Sequence, residues 1–409
     1  MENLSENLSE NPEFVIPSPP QTPFDRHFTH TQAHETCPRQ YVEERLEAFI
    51  DQILAPAGKA GASPSITLTR RSKNAGCVLS INPLSGALES AGGKSKVTYS
   101  WPGEDASEAW RLSIVLLLLI AIKDAVHTGL KISTRDIYYN DPELFGSQRV
   151  VDRYIDDLAL TIGVERSDLN VEAAAKGLVA GYYQITYADG STVDTQESKK
   201  ECLIPRAQDI AELDISDINW ILILEKEAVF RRLAQSNFHM RSTAGRGILV
   251  TGKGYPDLRT RAFIRKIYEN ILPSRATPPP RFYALVDSDP DGISIMSTYK
   301  YGSIAHTREN AKLNIPSLRW LGLRMSEVIG GLGSMGDEAL IPLTGRDRQK
   351  IEQRLARNPV WAVDGPEPEW RVGLQRMLML NVKAEIEILY DRNGGLEAWI
   401  EREMERQVE

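Results

Sequence analysis

From Tyr41 the chain reads YVEERLEAFIDQIL, in which Val42, Leu46, Phe49, Ile50 and Ile53 recur at helical spacing and predict one apolar helix face. Two β-prone runs, SITLTRR and GCVLSI, follow ahead of Gly- and Ser-rich turns. Asp105 to His127 reads as a long helix stopped by Gly129, and its unbroken apolar run, Ile114 to Ile122, is about half of what crosses a bilayer. A buried helix is therefore expected rather than a membrane span. Next come a short helix capped by Ser133 or Thr134 and a further helix around Arg149 to Ile162. In YYQITY-ADG-STVD, Asp189-Gly190 tolerates positive φ between two β-prone arms, so a hairpin is predicted. Helices followed by a hairpin are the order of a winged helix-turn-helix, an order that many α+β domains share.

After Asp214 the rhythm changes. The apolar runs WILIL (Trp220 to Leu224), GILV (Gly247 to Val250) and FYALV (Phe282 to Val286) alternate with helix-like stretches around Ala228 to Ala234, Leu258 to Leu272 and Ile293 to Tyr301. Buried strands alternating with helices predict a parallel α/β sheet with right-handed crossovers. LRWLGL and DRQKIEQRL read as another strand and helix, and VGLQRMLMLNVKAEIEIL as a C-terminal helix on the same core. The functional crevice of such a sheet lies beyond the carboxyl ends of its strands, where Glu225, Asp287 and Asp289 are expected to converge. Residues 1–38, with their ENLSE repeat and IPSPPQTPF run, are too polar to offset the entropy of ordering and are expected to form a disordered tail. The division expected is thus a tail over 1–38, a first domain over 39–195 and a sheet domain with a C-terminal extension over 196–409.

Composition narrows the class. The 409 residues, 42% hydrophobic and 25% charged, suit a soluble protein of two or three domains. The acidic, polar N-terminus lacks the regions of a secretory signal, and Cys37, Cys77 and Cys202 lack metal or disulfide spacing, so a reducing cytosolic or nuclear compartment is expected. A formal charge of −8 speaks against indiscriminate coating of nucleic acid. Local charge disagrees with the total: from Arg231 to Ile271 stand Arg231, Arg232, Arg241, Arg246, Lys253, Arg259, Arg261, Arg265 and Lys266, against only Asp257 and Glu269.

DSDPDG places Asp287, Asp289 and Asp291 ahead of Gly292 like the start of an EF-hand, but the twelfth loop position is Thr298 and the preceding element is a strand. Clustered carboxylates in a crevice repel unless a cation joins them, and Mg²⁺ suits that task; a solvated turn with Glu225 on the surface explains the same residues without metal. An aspartyl-phosphate receiver is a poorer fit, because its phosphoacceptor would end a middle strand where GILV ends in Thr251-Gly252-Lys253-Gly254. The glycines of TGKGYPD permit close approach of a phosphate, although no nucleotide P-loop is present. Tyr255 with Arg259, Arg261, Arg265 and Lys266 suits a nucleic-acid backbone or a solvated helix face. In STRDIYYNDPELFGSQ, Arg135 lies one turn from both Tyr138 and Tyr139. A phenol with a pKa near 10 needs such a cation to act as a nucleophile, and periodicity leaves open which tyrosine is free.

TRDIYYNDPELFGSQ, KGLVAG (Lys176 to Gly181), LEKEAVFRRL, TGKGYPDLRTRAFIRKI and DSDPDGISI, in that order, closely resemble the A-type chain of topoisomerase VI and its eukaryotic meiotic relatives. The resemblance implies a CAP-like winged-helix domain followed by a Toprim domain, a Rossmann-like parallel α/β fold. It implies Tyr139 as nucleophile assisted by Arg135, Mg²⁺ on Glu225, Asp287 and Asp289, and DNA contacts from Lys176, Lys253, Tyr255, Arg259 and Arg261. Asp291 stands where relatives often carry another residue and is left outside the metal shell. The implied reaction is a DNA transesterification of the isomerase class that leaves a 5′-phosphotyrosyl link and opens meiotic recombination on nuclear chromosomes. The implied assembly on double-stranded DNA is a homodimer with composite sites, joined by a B-type partner and meiotic accessory proteins. The A-type chain of a topoisomerase VI working with a B-type ATPase, or a Toprim nuclease, is the alternative.

Overall fold

The buried apolar residues gather into two clusters. One is drawn from Val42 to Val171 and the other, apart from Leu88, begins at Leu178. The computed structural model describes residues 39–56, 61–71, 78–195, 201–271, 279–330, 340–392 and 394–407; the expected tail, Cys37 and Cys77 lie outside them.

In the first cluster the helix Arg39–Leu54 buries Val42, Leu46, Phe49 and Ile53 against the helix Ala106–Thr128. Asp105 caps the latter by accepting from the Glu108 N–H, and Gly129 ends it with φ 72°, a conformation that glycine adopts without strain. Among the described residues no helix is long and apolar enough to cross a membrane. The strands Ser65–Arg71 and Lys94–Ser100 pair antiparallel on this core. The short helix Thr134–Asn140 opens with a capping box in which the Ser133 and Asp136 side chains each accept the other's backbone N–H.

The second cluster surrounds a six-stranded sheet ordered Cys202–Leu203, Leu178–Gly181, Gly247–Thr251, Trp220–Leu224, Arg281–Leu285, Arg319–Gly322. The last four strands run parallel; Leu178–Gly181 runs against them, and Cys202–Leu203 pairs antiparallel with Leu178–Gly181. Trp220–Leu224 and Gly247–Thr251 are buried at every position, as a strand covered on both faces must be. Gly247 is required by close approach, since a Cβ there would overlap the Trp220 ring.

One expected element is found with a partner of its own, and one is corrected. The hairpin of Gln184–Tyr187 and Thr192–Asp194 forms, but it pairs with Ile210–Asp214 and buries Ile185 in the second cluster. Residues on both sides of the 195/196 line therefore share one core: alternation predicts a hairpin, whereas the core that covers its apolar face is chosen by distant residues. The expected C-terminal helix covers only Pro368–Leu380, because Asn381 adopts φ 55° and stops it. Val382–Lys383 then pairs with Ile341–Pro342, and a separate helix, Gly395–Arg406, follows.

Candidate active site

Thr134 and Ile137 are the buried residues of the Thr134–Asn140 helix, which leaves the i, i+4 pair Arg135 and Tyr139 on its solvent side. Tyr139 is 58% exposed, and the Arg135 guanidinium carbon stands 5.8 Å from the centre of its ring. Tyr138 packs against the first core and meets Tyr139 edge to face, with ring centres 5.3 Å apart. The ambiguity that periodicity left open is thereby resolved: Tyr139 carries the accessible phenol.

Glu225 directly follows, and Asp287 stands two residues beyond, neighbouring parallel strands whose ends, Leu224 and Leu285, are in register. The Asp287 backbone N–H donates to Glu225 Oε2 at 2.9 Å. Asp287 Oδ1 accepts the Ile386 N–H at 2.9 Å, and its Oδ2 lies 3.2 Å from Lys226 Nζ. Asp289 caps the helix Pro290–Lys300 by accepting the Gly292 N–H at 2.6 Å. The glycine of DSDPDG is needed here because a Cβ on Gly292 would overlap the Asp287 carbonyl oxygen and stand 3.0 Å from Glu225 Oε2.

Electrostatics separates these acids into two kinds. Burial, and then the Asp287 charge, push the Glu225 carboxyl up to about 8. Burial also pushes Asp287 up to about 6, against the Ile386 N–H and Lys226, and raises Asp289. Burial pushes Asp291 up too, but Lys350 and Arg354 outweigh it and hold that carboxyl below the ordinary carboxylate range. At three acids burial outweighs the cations within reach, and at the fourth the cations outweigh burial.

Among the described residues no three acidic, histidine or cysteine side chains stand together as a ready-made metal cage. The donor set nonetheless fits a hard divalent ion. One oxygen each of Glu225, Asp287 and Asp289 accepts a backbone N–H, which fixes the carboxylate; the second oxygens of Glu225 and Asp289 are left to face an ion, while that of Asp287 meets Lys226. Mg²⁺ takes only one or two carboxylates directly and keeps water for the rest.

Beside the acids the Gly247–Thr251 strand runs into the glycine-rich turn, where Lys253 (φ 53°) and Gly254 (φ 86°) are left-handed and the Gly254 N–H donates to the Glu225 carbonyl at 2.9 Å. Lys253 Nζ lies 3.1 Å from Glu227, and Lys176 Nζ donates to the Tyr255 carbonyl at 2.7 Å. Lys176, Lys253 and Tyr255 are thus gathered along the edge of the acidic crevice. Arg261 is not: it is 1% exposed and donates to Asn310 Oδ1 at 3.2 Å. Arg265, one turn on, donates to the Asn314 carbonyl at 2.9 Å and to Glu269 at 2.8 Å. Arg259 is half-buried, and burial followed by the neighbouring Arg206 lowers its pKa. The expected helical face of arginines therefore packs largely inward, against the Asn310 and Asn314 segment. Lys350 and Arg354 stand in no motif of the sequence, and Lys226 lies in LEKEAVFRRL with nothing local to mark its role, because their acidic partners arrive from distant elements. No hydrogen bond or ion pair among the described residues joins Tyr139 or Arg135 to Glu225, Asp287 or Asp289.

Residues 220–396 match the Toprim domain of the topoisomerase 6 A-type chain and Spo11, and residues 110–171 match the type IIB DNA topoisomerase family. The chain is 35% identical to the human meiotic recombination protein SPO11, over 70% of this chain and 68% of that protein. It is 33% identical to the meiotic recombination protein rec12 of Schizosaccharomyces pombe, over 86% of this chain and 91% of that one. It is also 32% identical to the A-type chain of DNA topoisomerase 6 from Arabidopsis thaliana, over 70% of this chain and 64% of that one.

Proposed function

This chain belongs to the family of Spo11 and the topoisomerase 6 A-type chain, and from that premise we propose that it breaks double-stranded DNA by tyrosine transesterification to initiate meiotic recombination. The observation that carries the reading is the exposed Tyr139 phenol beside Arg135, next to a Tyr138 that is partly buried against the first core. The Tyr139 hydroxyl attacks a backbone phosphorus in line; the bond to the 3′ oxygen breaks as the new phosphotyrosyl bond forms. The phenol loses its proton, the departing oxygen gains one, and no water is consumed. Arg135 lowers the cost of phenolate character by its charge. When bound by two of Glu225, Asp287 and Asp289, Mg²⁺ would supply Lewis-acid stabilisation of charge on the phosphate and the leaving oxygen. Lys176, Lys253 and Tyr255, along the same edge, hold the flanking backbone.

Two strands need two tyrosines, so the working unit is a homodimer in which one protomer's tyrosine, on a CAP-like winged-helix domain, meets its partner's Toprim acids. A B-type partner and meiotic accessory proteins complete the assembly on nuclear chromosomes. The test is a denaturing gel of DNA incubated with wild type and with Tyr139→Phe. Protein-linked DNA in wild type alone supports the reading; adducts at equal yield in the variant end it, and protein-free hydrolysed ends point to a Toprim nuclease. The likeness to the Arabidopsis topoisomerase chain favours a second reading, the A-type chain of a type IIB topoisomerase. ATP-dependent strand passage with an added B-type partner would select it.

A further inference from the structure

Asp291, the third acid of DSDPDG, has partners on two other elements. It accepts from the Tyr255 hydroxyl at 3.1 Å, pairs with Lys350 Nζ, and lies 3.3 Å from Arg354 Nη2. Lys350 and Arg354 stand one turn apart on the helix Gly345–Arg357. Arg354 also donates to the Pro290 carbonyl and reaches the Tyr255 hydroxyl at 3.4 Å. Tyr255 is half-exposed at the tip of the glycine-rich turn, and its backbone carbonyl holds Lys176. One carboxylate thus joins the start of the acid-bearing helix, the turn along the crevice and a helix of the C-terminal extension.

The acidic loop is held on its other side as well. Ser288 and Ala384 exchange backbone hydrogen bonds at 2.9 and 3.1 Å, and the Ile386 N–H fixes Asp287. Lys383, next to Ala384, bonds Asp347 at 3.1 Å, which ties this strap to the Gly345–Arg357 helix. A cation on Asp291 would face the ammonium of Lys350 and the guanidinium of Arg354, whose charges the carboxylate already matches.

We infer that Asp291 is a positioning residue: through Lys350, Arg354 and Tyr255 it sets the Tyr255 turn against the Glu225–Asp287–Asp289 crevice and does not ligate metal. The inference rests on the proposed DNA cleavage for its activity readout, and direct ion binding tests it independently. Asp291→Asn, the pair Lys350→Met/Arg354→Met, and all three together are compared in the full chain. Metal binding is followed with Mn²⁺ by electron paramagnetic resonance, and adduct yield is read at saturating Mg²⁺. Breaking the clamp from either side is expected to lower adduct yield to a similar extent, about 10- to 100-fold for a displacement near 1 Å. The triple variant should add nothing further, since all three changes remove one interaction. Mn²⁺ affinity should stay within about twofold of wild type, a change of roughly 0.4 kcal/mol. Lys350→Arg, which keeps the charge, should restore most of the yield.

A tenfold loss of Mn²⁺ affinity in Asp291→Asn but not in the Lys350/Arg354 pair would make Asp291 a ligand and overturn the inference. Additive losses, or full activity in every variant, would overturn it too. If wild type itself forms no adduct, cleavage fails as a function, and proteolysis at the Tyr255 turn decides the clamp. Under that readout, equal acceleration in Asp291→Asn and in the Lys350/Arg354 pair upholds the inference, and unchanged rates sink it.

Discussion

Replacing Glu225 by Gln is expected to stabilise the metal-free protein while abolishing its function. The Glu225 carboxyl is pushed up to about 8 by burial and by Asp287, so at neutral pH the folded state holds a proton that the unfolded chain has released. By linkage, stability from this group falls as pH rises from the ordinary value of 4.5 and levels off above about 8. At 1.36 kcal/mol per pH unit, the interval from 4.5 to 7 amounts to at most about 3 kcal/mol. Gln carries no charge to bury and keeps an oxygen that can accept the Asp287 N–H now bonded to Glu225. Urea denaturation in EDTA should therefore find Glu225→Gln close to wild type near pH 4.5 and more stable by about 1–3 kcal/mol at pH 7. Adding Mg²⁺ should stabilise wild type, increasingly so at higher pH, and stabilise the variant less. A variant destabilised equally at both pH values, or a wild type whose stability does not fall relative to it, would refute the account of uncompensated charge.

Tyr139→Phe should abolish the covalent adduct with little change in melting temperature, because the ring is 58% exposed, whereas Tyr138→Phe should keep the adduct. Mixing Tyr139→Phe with Glu225→Gln protomers should restore one composite site per heterodimer and produce nicks on closed circular DNA; no product above either parent would exclude sharing between protomers. Gly292→Ala should force the acidic loop apart, costing about 1–3 kcal/mol in a denaturation assay and lowering Mg²⁺ affinity in calorimetry, because its Cβ meets the Asp287 carbonyl oxygen. Lys176→Ala should weaken DNA binding at all sequences and reduce the slope of log K against log salt by about 1.

Much of this fold is written in short-range chemistry. The Asp105 cap and Gly129 stop, the Ser133 capping box, the Asp189-Gly190 hairpin and the four parallel strands arise from residues a few positions apart, so local periodicity and turn preference suffice to find them. Glu225 and Asp287 were legible for the same reason, since each follows a strand whose direction the alternating pattern predicts. Tertiary contacts decided the remainder. Packing on the first core withdrew Tyr138 and left Tyr139 accessible, and the segment bearing Asn310 and Asn314 drew Arg261 and Arg265 away from solvent. Asp291 became a clamp because Lys350 and Arg354 arrive from 59 and 63 residues away. Backbone preference and capping are settled within one turn of chain, so the sequence alone determined the elements and the kinds of chemistry available. Burial and charge pairing depend on which surfaces meet, and only the folded arrangement determined which side chains remain free to use that chemistry.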